Sequence, residues 1–62
     1  MQELVGKFHD FEDGARIEII QVKTRDYNID WVTYVVTESG ALPRKGIMQI
    51  DEFLEEFGHL FE

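Results

Sequence analysis

The sequence contains no cysteine and only one proline among its 62 residues. The absence of cysteine excludes disulfide bonds and thiolate metal ligands, so neither can supplement the core of so short a chain. No apolar stretch approaches the roughly 20 residues that a membrane-spanning helix requires. The first residues also lack the basic region and long apolar core of a signal peptide. We therefore expect a soluble, cytoplasmic protein whose stability depends on apolar packing.

Basic residues are also scarce: six Lys and Arg stand against thirteen Asp and Glu, a net charge of −7. Because binding to phosphate groups requires Lys and Arg, this balance disfavours nucleic acid and anionic membranes as partners. The bases that could still form a local patch are Lys23, Arg25, Arg44 and Lys45. Beside turns, such residues are most often ordinary solvated charges.

The length accommodates one domain, residues 1–62, and no second one. Hydrophobic residues make up 44% of the chain and aromatic residues 13%, a content that supports a core and argues against disorder. A domain of this size buries only about 60% of the surface that its unfolded chain exposes, so we expect its stability to be marginal.

Two segments rich in β-branched residues, Arg16–Thr24 and Trp31–Thr37, predict a long antiparallel hairpin. In the first segment Ile17 and Ile19 fall on one face, but the alternation changes at Ile20. The change indicates either a strand covered on both sides or a bend between Ile19 and Ile20.

Shorter segments complete the predicted sheet. Leu4–Phe8 and Ile47–Met48 are predicted as short strands. Turns are predicted over His9–Gly14, with Asp13-Gly14 as the strongest signal, and over Glu38–Gly40, because Asp, Ser and Gly favour turn conformations. Pro43 cannot donate a ladder hydrogen bond, so its surroundings are predicted to be an edge or an irregular loop.

The C-terminal segment predicts one short helix. Its apolar residues follow the spacing i, i+3, i+4, i+7 of a single helix face, which we expect to pack on the sheet. These residues are Ile50, Phe53, Leu54 and Phe57. The opposite face carries four acidic residues, Asp51, Glu52, Glu55 and Glu56. Gly58 is predicted to end the helix.

This order of elements predicts a mostly β (α+β) fold. We favour a small, bent, SH3-like sheet or barrel of four or five strands with one short C-terminal helix. The alternative is an open three- or four-stranded antiparallel sheet with one packed helix.

The chain resembles a group of short, uncharacterised SH3-like proteins encoded by phages and prophages. In that group a strand ending near G-K-F-x-D leads through D-G to a long hairpin and a closing φ-x-x-F-L-x-x-F helix. The matching pieces here are Gly6–Asp10, Asp13-Gly14, Ile17–Val36 and Ile50–Phe57. The resemblance implies a small barrel and a phage accessory role, but no site residue. The Pro43-Arg44-Lys45 loop departs from the pattern.

No arrangement of residues predicts catalysis or metal binding. Ser39, the single serine, lies in a predicted turn. His9 with Asp10 and His59 with Glu62 could in principle supply zinc ligands, but such histidines are far more often exposed or partly packed side chains. The five glycines are scattered and form no phosphate-binding loop. We therefore predict no enzyme activity, no cofactor and no metal.

Surplus aromatic residues indicate a binding function instead. Trp31 and Tyr34 fall on opposite faces of one strand, and we expect Trp31 to be the exposed one. Our first hypothesis is a protein-interaction module, a phage-encoded modulator or inhibitor of a host protein, whose predicted contacts are Tyr27, Trp31, Asp51, Glu52, Glu55 and Glu56.

Three further hypotheses stay open. The first alternative is an acidic inhibitor that mimics DNA and occupies a nucleic-acid-binding cleft. The second is a small nucleic-acid-binding barrel that uses the four bases named above. Self-association into a homodimer is the third, through an edge strand near Pro43–Met48 and the apolar residues Leu60 and Phe61.

Overall fold

The structure, a computed structural model, describes residues 4–61. Four strands form one antiparallel sheet in chain order, and a helix follows the last strand. The elements are β1 (Phe8–Asp10), β2 (Arg16–Arg25), β3 (Ile29–Thr37), β4 (Arg44–Gln49) and α1 (Ile50–Phe57). A 3-10 turn, Gly58–Phe61, follows α1. No residue separates β4 from α1, so the strand passes directly into the helix.

The sheet is open, so the favoured barrel is wrong and the alternative, an open sheet with one packed helix, is right. Within residues 4–61, β1 pairs only with β2 and β4 pairs only with β3. Closure would require these two outer strands to meet. β1 has only three residues, and α1 packs on one face of the sheet through β3 and β4.

The long hairpin is confirmed, and its bend lies at the predicted position. Ile19 pairs with Tyr34, but the next pair is Gln21 with Thr33, so Ile20 is the extra residue of a β-bulge. The bulge restores the alternation, because it returns Val22 to the face that carries Ile19. Val22 accordingly packs against the buried core.

The predicted strand Leu4–Phe8 is wrong, because the first strand begins only at Phe8. Residues 4–7 form a turn in which Gly6 has a φ of 92° and the Lys7 N–H donates to the Leu4 carbonyl at 3.1 Å. A positive φ interrupts an extended strand and is adopted readily by glycine. The Gly6 N–H nevertheless donates to the Ile19 carbonyl at 2.8 Å, which ties this turn to β2.

The turn predicted over His9–Gly14 is confirmed only from Phe11 onward, because His9 and Asp10 belong to β1, and the turn predicted over Glu38–Gly40 is confirmed. In the first, the Ala15 N–H donates to Oδ1 of Asp13 at 3.0 Å. In the second, the Ala41 N–H donates to the Glu38 carbonyl at 3.2 Å. The strand after it, β4, has six residues and is longer than the predicted Ile47–Met48. Pro43 lies immediately before this edge strand, where its missing N–H breaks no ladder bond.

The helix Ile50–Phe57 is confirmed, and Phe53 is its buried centre with 0% exposure. Phe53 lies between aromatic rings, with centroid distances of 5.7 Å to Tyr34, 5.3 Å to Phe57 and 5.8 Å to Phe61. Leu54, predicted to belong to the same apolar face, is 37% exposed at its margin. The buried apolar residues of the described chain are Leu4, Ala15, Ile17, Ile19, Val32 and Phe53.

The end of the chain returns to the body of the protein. Gly58 follows the helix as predicted, but with the right-handed values φ −56° and ψ −36°, so the chain continues into the 3-10 turn. Leu60 and Phe61 pack against the core. Both are only half-buried, so the homodimer contact through them stays a prediction.

Candidate interaction surface

Helix α1 covers one face of the sheet. That face carries Ile17, Ile19, Val22 and their β3 partners Val36, Tyr34 and Val32. These residues pack around Phe53 in a single apolar cluster. Tyr34 therefore belongs to the covered face, as predicted.

The opposite face, called the open face below, is turned away from α1. Because side chains alternate along a strand, it carries the residues between those of the covered face. Six of its residues are large and apolar: Phe8, Ile20, Ile29, Trp31, Val35 and Ile47. Phe8, Ile20 and Ile47 are 51%, 39% and 46% exposed, and Trp31 and Val35 are half-buried. Trp31 thus lies on the face opposite Tyr34, as predicted, but it is half-buried rather than exposed.

The open face is basic although the chain is acidic. Four of the six Lys and Arg residues occupy its register positions: Arg16, Lys23, Arg25 and Lys45. The acids at register positions on this face are Asp10 and Glu18. The surplus of negative charge therefore lies elsewhere on the molecule.

Arg16 and Asp10 form an ion pair at one corner of the open face. Nε of Arg16 donates to Oδ1 of Asp10 at 2.6 Å, and a second bond of 3.1 Å joins Nη2 and Oδ2. The hydrogen bond to Arg16 lowers the pKa of the Asp10 carboxyl below its ordinary value. The Arg16 guanidinium also lies 4.2 Å from the centre of the Phe8 ring. This corner is therefore neutralised internally, which leaves the other bases as the free positive charge of the face.

Arg44 and Lys45 are adjacent in sequence but lie on opposite faces of the sheet. Lys45 pairs with Val35 on the open face, whereas Arg44 pairs with Val36 on the covered face. Nη2 of Arg44 donates to Oε1 of Glu38 at 3.3 Å. The predicted basic group is thus split, with Lys23, Arg25 and Lys45 on one face and Arg44 on the other.

The four acidic residues of α1 lie on its outer side and are all exposed. Neither of the two ion pairs found within residues 4–61 involves any of them. The sheet separates them from Trp31. The predicted contact residues therefore form two surfaces: an acidic helix surface (Asp51, Glu52, Glu55 and Glu56) and the open face.

Tyr27 projects from the tip of the β2–β3 hairpin and is 92% exposed. The Ile29 N–H donates to the Asp26 carbonyl, and the two central residues of this turn have positive φ, 62° for Tyr27 and 57° for Asn28. These values resemble a type I′ turn, which favours Asn or Gly at both positions. Asn28 satisfies this preference, whereas Tyr27 holds a conformation that costs a bulky residue energy.

The substitution Tyr27→Asn is expected to stabilise the protein. Asn adopts the left-handed region more easily than Tyr. Because the Tyr27 ring is almost fully exposed, the protein loses no packing when the ring is removed. We expect the free energy of unfolding to rise by about 1 kcal/mol. Thermal unfolding followed by circular dichroism measures the change. Tyr27→Phe is the matched control and should leave the melting temperature unchanged; an unchanged or lower value for Tyr27→Asn would contradict the argument from turn strain.

The remaining candidates lie apart from one another. Ser39 is exposed in the turn before β4, His9 is half-buried beside Phe11, and His59 is exposed. Among residues 4–61 no three His, Asp or Glu side chains gather where they could hold a metal ion. Glu62, a candidate ligand beside His59, lies outside the described residues. In the same range no helix has the length and apolar character needed to cross a membrane.

Sequence reasoning missed most of the open face. Ile20, Val35 and Ile47 were not predicted as surface contacts, and neither was Glu18. The available signal was the apolar content of both faces of β2 and β3. A helix covers only one side of a sheet, so such strands have apolar groups left over.

Comparisons with protein-family models, curated proteins and solved structures find no match to this chain.

Proposed function

We propose that this protein is a non-catalytic protein-interaction module that binds its partner through the open face. The observation that carries the proposal is the set of apolar residues on the open face, which lies on the side of the sheet away from α1 and exposes Phe8, Ile20 and Ile47 by 51%, 39% and 46%. Contiguous exposed apolar surface bordered by polar groups marks interaction sites in soluble proteins.

The composition of the open face supports a protein as the ligand. Trp and Arg are over-represented among residues that dominate binding energy, and such residues cluster near the centre of an interface. Trp31 lies on the inner strand β3, with Lys23 opposite it on β2 and Gln49 opposite it on β4. An apolar centre with a polar border is the usual arrangement of a specific interface. The resemblance to phage proteins makes a host protein the partner to look for.

Affinity capture from the source cells, followed by binding measurements with the purified partner, tests the proposal. We expect Trp31→Ala to reduce affinity at least about 30-fold, since truncation of a central Trp commonly costs 2 kcal/mol or more. The matched control neutralises the acidic helix surface (Asp51→Asn, Glu52→Gln, Glu55→Gln and Glu56→Gln) and should leave affinity within a few-fold. An unchanged affinity for Trp31→Ala would refute the open face as the binding surface.

The acidic helix surface supports a second candidate function, that of an inhibitor which mimics the charge of DNA. Its four carboxylates lie within about two turns of helix and carry no basic partner within the described residues. The same pair of variants separates the two functions, because a mimic would lose its target on neutralisation of the helix and keep it with Trp31→Ala. Its target would also be released steeply as salt rises.

A further inference from the structure

The open face is self-complementary: the residues on one side of its middle row match those on the other side in charge and in apolar character. In that row Thr33 on β3 lies between the Ile20–Gln21 bulge on β2 and Ile47 on β4. The next row in one direction along the strands contains Glu18 and Val35. The next row in the opposite direction contains Lys23 and Trp31. An acid and a base on β2, and an aliphatic and an aromatic residue on β3, are thus equally distant from the middle.

Consider a two-fold axis that lies between two stacked sheets, parallel to the middle row and perpendicular to the strands. Rotation by 180° about this axis exchanges the two ends of the face. If two open faces are stacked with this symmetry, Glu18 of each copy lies over Lys23 of the other. Val35 likewise lies over Trp31, while Thr33 and Ile47 meet their own equivalents. A two-fold interface requires this reciprocity, in which residue i contacts j and j contacts i.

We infer that the open face binds a second copy of this chain, and that the two sheets form a two-fold symmetric β-sandwich with the helices outside. The inference rests on the proposed function, because it names the partner of the same surface. Sheets stacked face to face lie about 10 Å apart with strand directions within about 30° of each other, so contacts near the middle row keep their register best.

The charges at the border are compatible with this arrangement. Lys45 lies over the neutral Gln49 of the second copy. Arg25 lies over Arg16 of the second copy, but Asp10 already pairs with that guanidinium at 2.6 Å. Self-association thus matches Glu18 with Lys23 twice and leaves no isolated like-charge contact at the centre.

The size of the open face is sufficient for a weak but specific dimer. Four strands of up to ten residues span about 19 Å by 30 Å, which gives a total of about 1,000 Å² over two copies, the lower limit for a specific interface. The smallest dimension of the molecule is 17 Å, the thickness of one sheet and one helix layer. A second sheet would cover the side that α1 leaves bare.

Sedimentation equilibrium tests the inference. The weight-average mass of the wild-type chain should rise from 7.3 kDa toward twice that value as its concentration approaches about 1 mM, where a dissociation constant of about 1 mM places about half of the chains in dimers. Glu18→Lys and Lys23→Glu should each remain monomeric, since each homodimer would bring like charges together twice. An equimolar mixture of the two variants should recover the doubled mass, because it restores both opposite-charge contacts. Circular dichroism confirms that each variant is folded.

A matched control places a charge reversal outside the interface. Glu55→Lys, on the acidic helix surface, should associate like the wild type.

A wild-type protein that stays monomeric at the highest concentration overturns the dimer. In that case the proposed function stands if binding of a purified partner requires Trp31, and it fails if no partner requires Trp31. A dimer insensitive to both charge reversals places the contact on another surface and also overturns the inference. If the protein is monomeric and retains a labelled oligo-dT probe, and if this retention requires Lys23 and Trp31, the open face binds single-stranded nucleic acid instead.

Discussion

Phe53→Ala is expected to leave the protein largely unfolded at 37 °C. Phe53 is fully buried and lies within 6 Å, centroid to centroid, of three other aromatic rings. Truncation of such a residue costs about 3–5 kcal/mol, because the transfer free energy of the ring is lost and a cavity remains. A 62-residue domain has a total stability of roughly 3–9 kcal/mol, so the loss removes most of the margin. Far-UV circular dichroism measures the folded fraction, and urea unfolding measures the loss in the free energy of unfolding.

The neighbouring residue provides the control. Leu54 is 37% exposed, so Leu54→Ala should cost less than about 1.5 kcal/mol. Phe53→Leu keeps an apolar group in the cavity and should yield a folded protein with an intermediate urea midpoint. If Phe53→Ala and Leu54→Ala unfolded at the same urea concentration, α1 would not pack on the sheet as described.

Gly46→Ala is expected to lower the free energy of unfolding by about 2 kcal/mol. Gly46 pairs with Tyr34 across β3 and β4, and the Tyr34 ring lies over it. A Cβ at Gly46 would lie 2.5 Å from Cζ and 2.6 Å from Oη of Tyr34. The ring cannot retreat freely, because Phe53 and Phe57 pack against it at 5.7 and 6.3 Å. The melting temperature should fall by about 10 °C.

A double-mutant cycle isolates this contact. In a Tyr34→Ala background the obstructing ring is gone, so adding Gly46→Ala should cost nothing or stabilise the strand slightly. Gly58→Ala is a second control: its Cβ would lie at an ordinary 3.6 Å from Leu54, and the right-handed backbone there favours Ala by about 0.5–1 kcal/mol. Equal losses from Gly46→Ala with and without Tyr34 would show that the ring is not the cause.

The local elements were predictable because local patterns determine them. The β-branched runs of the hairpin, the turn residues Asp13 and Gly14, and the helical spacing from Ile50 to Phe57 each depend on neighbouring residues alone. Closure of the sheet does not, because it requires two distant outer strands to meet. The same limit explains the first strand, since a single positive φ at Gly6 ends the extended run predicted over Leu4–Phe8.

The binding surface was only partly predictable, because it depends on which face each residue takes. The change of alternation at Ile20 indicated a bend, but only the pairing shows that one residue is inserted and that Val22 returns inward. Net charge was the least informative guide. A value of −7 does not show how charge is distributed: Lys23, Arg25 and Lys45 share one face, while the dense acids of α1 lie on the opposite side of the sheet.

The direct passage of β4 into α1 limits how the length of this chain can vary. Each residue added at the junction of Gln49 and Ile50 would turn the helix by about 100° relative to the strand, so one insertion would carry Phe53 away from the sheet. The turn before β4 contains the exposed residues 38–43 and has no such constraint. In related sequences, changes in length should therefore collect in that turn and be absent from the junction, whatever substitutions both regions accept.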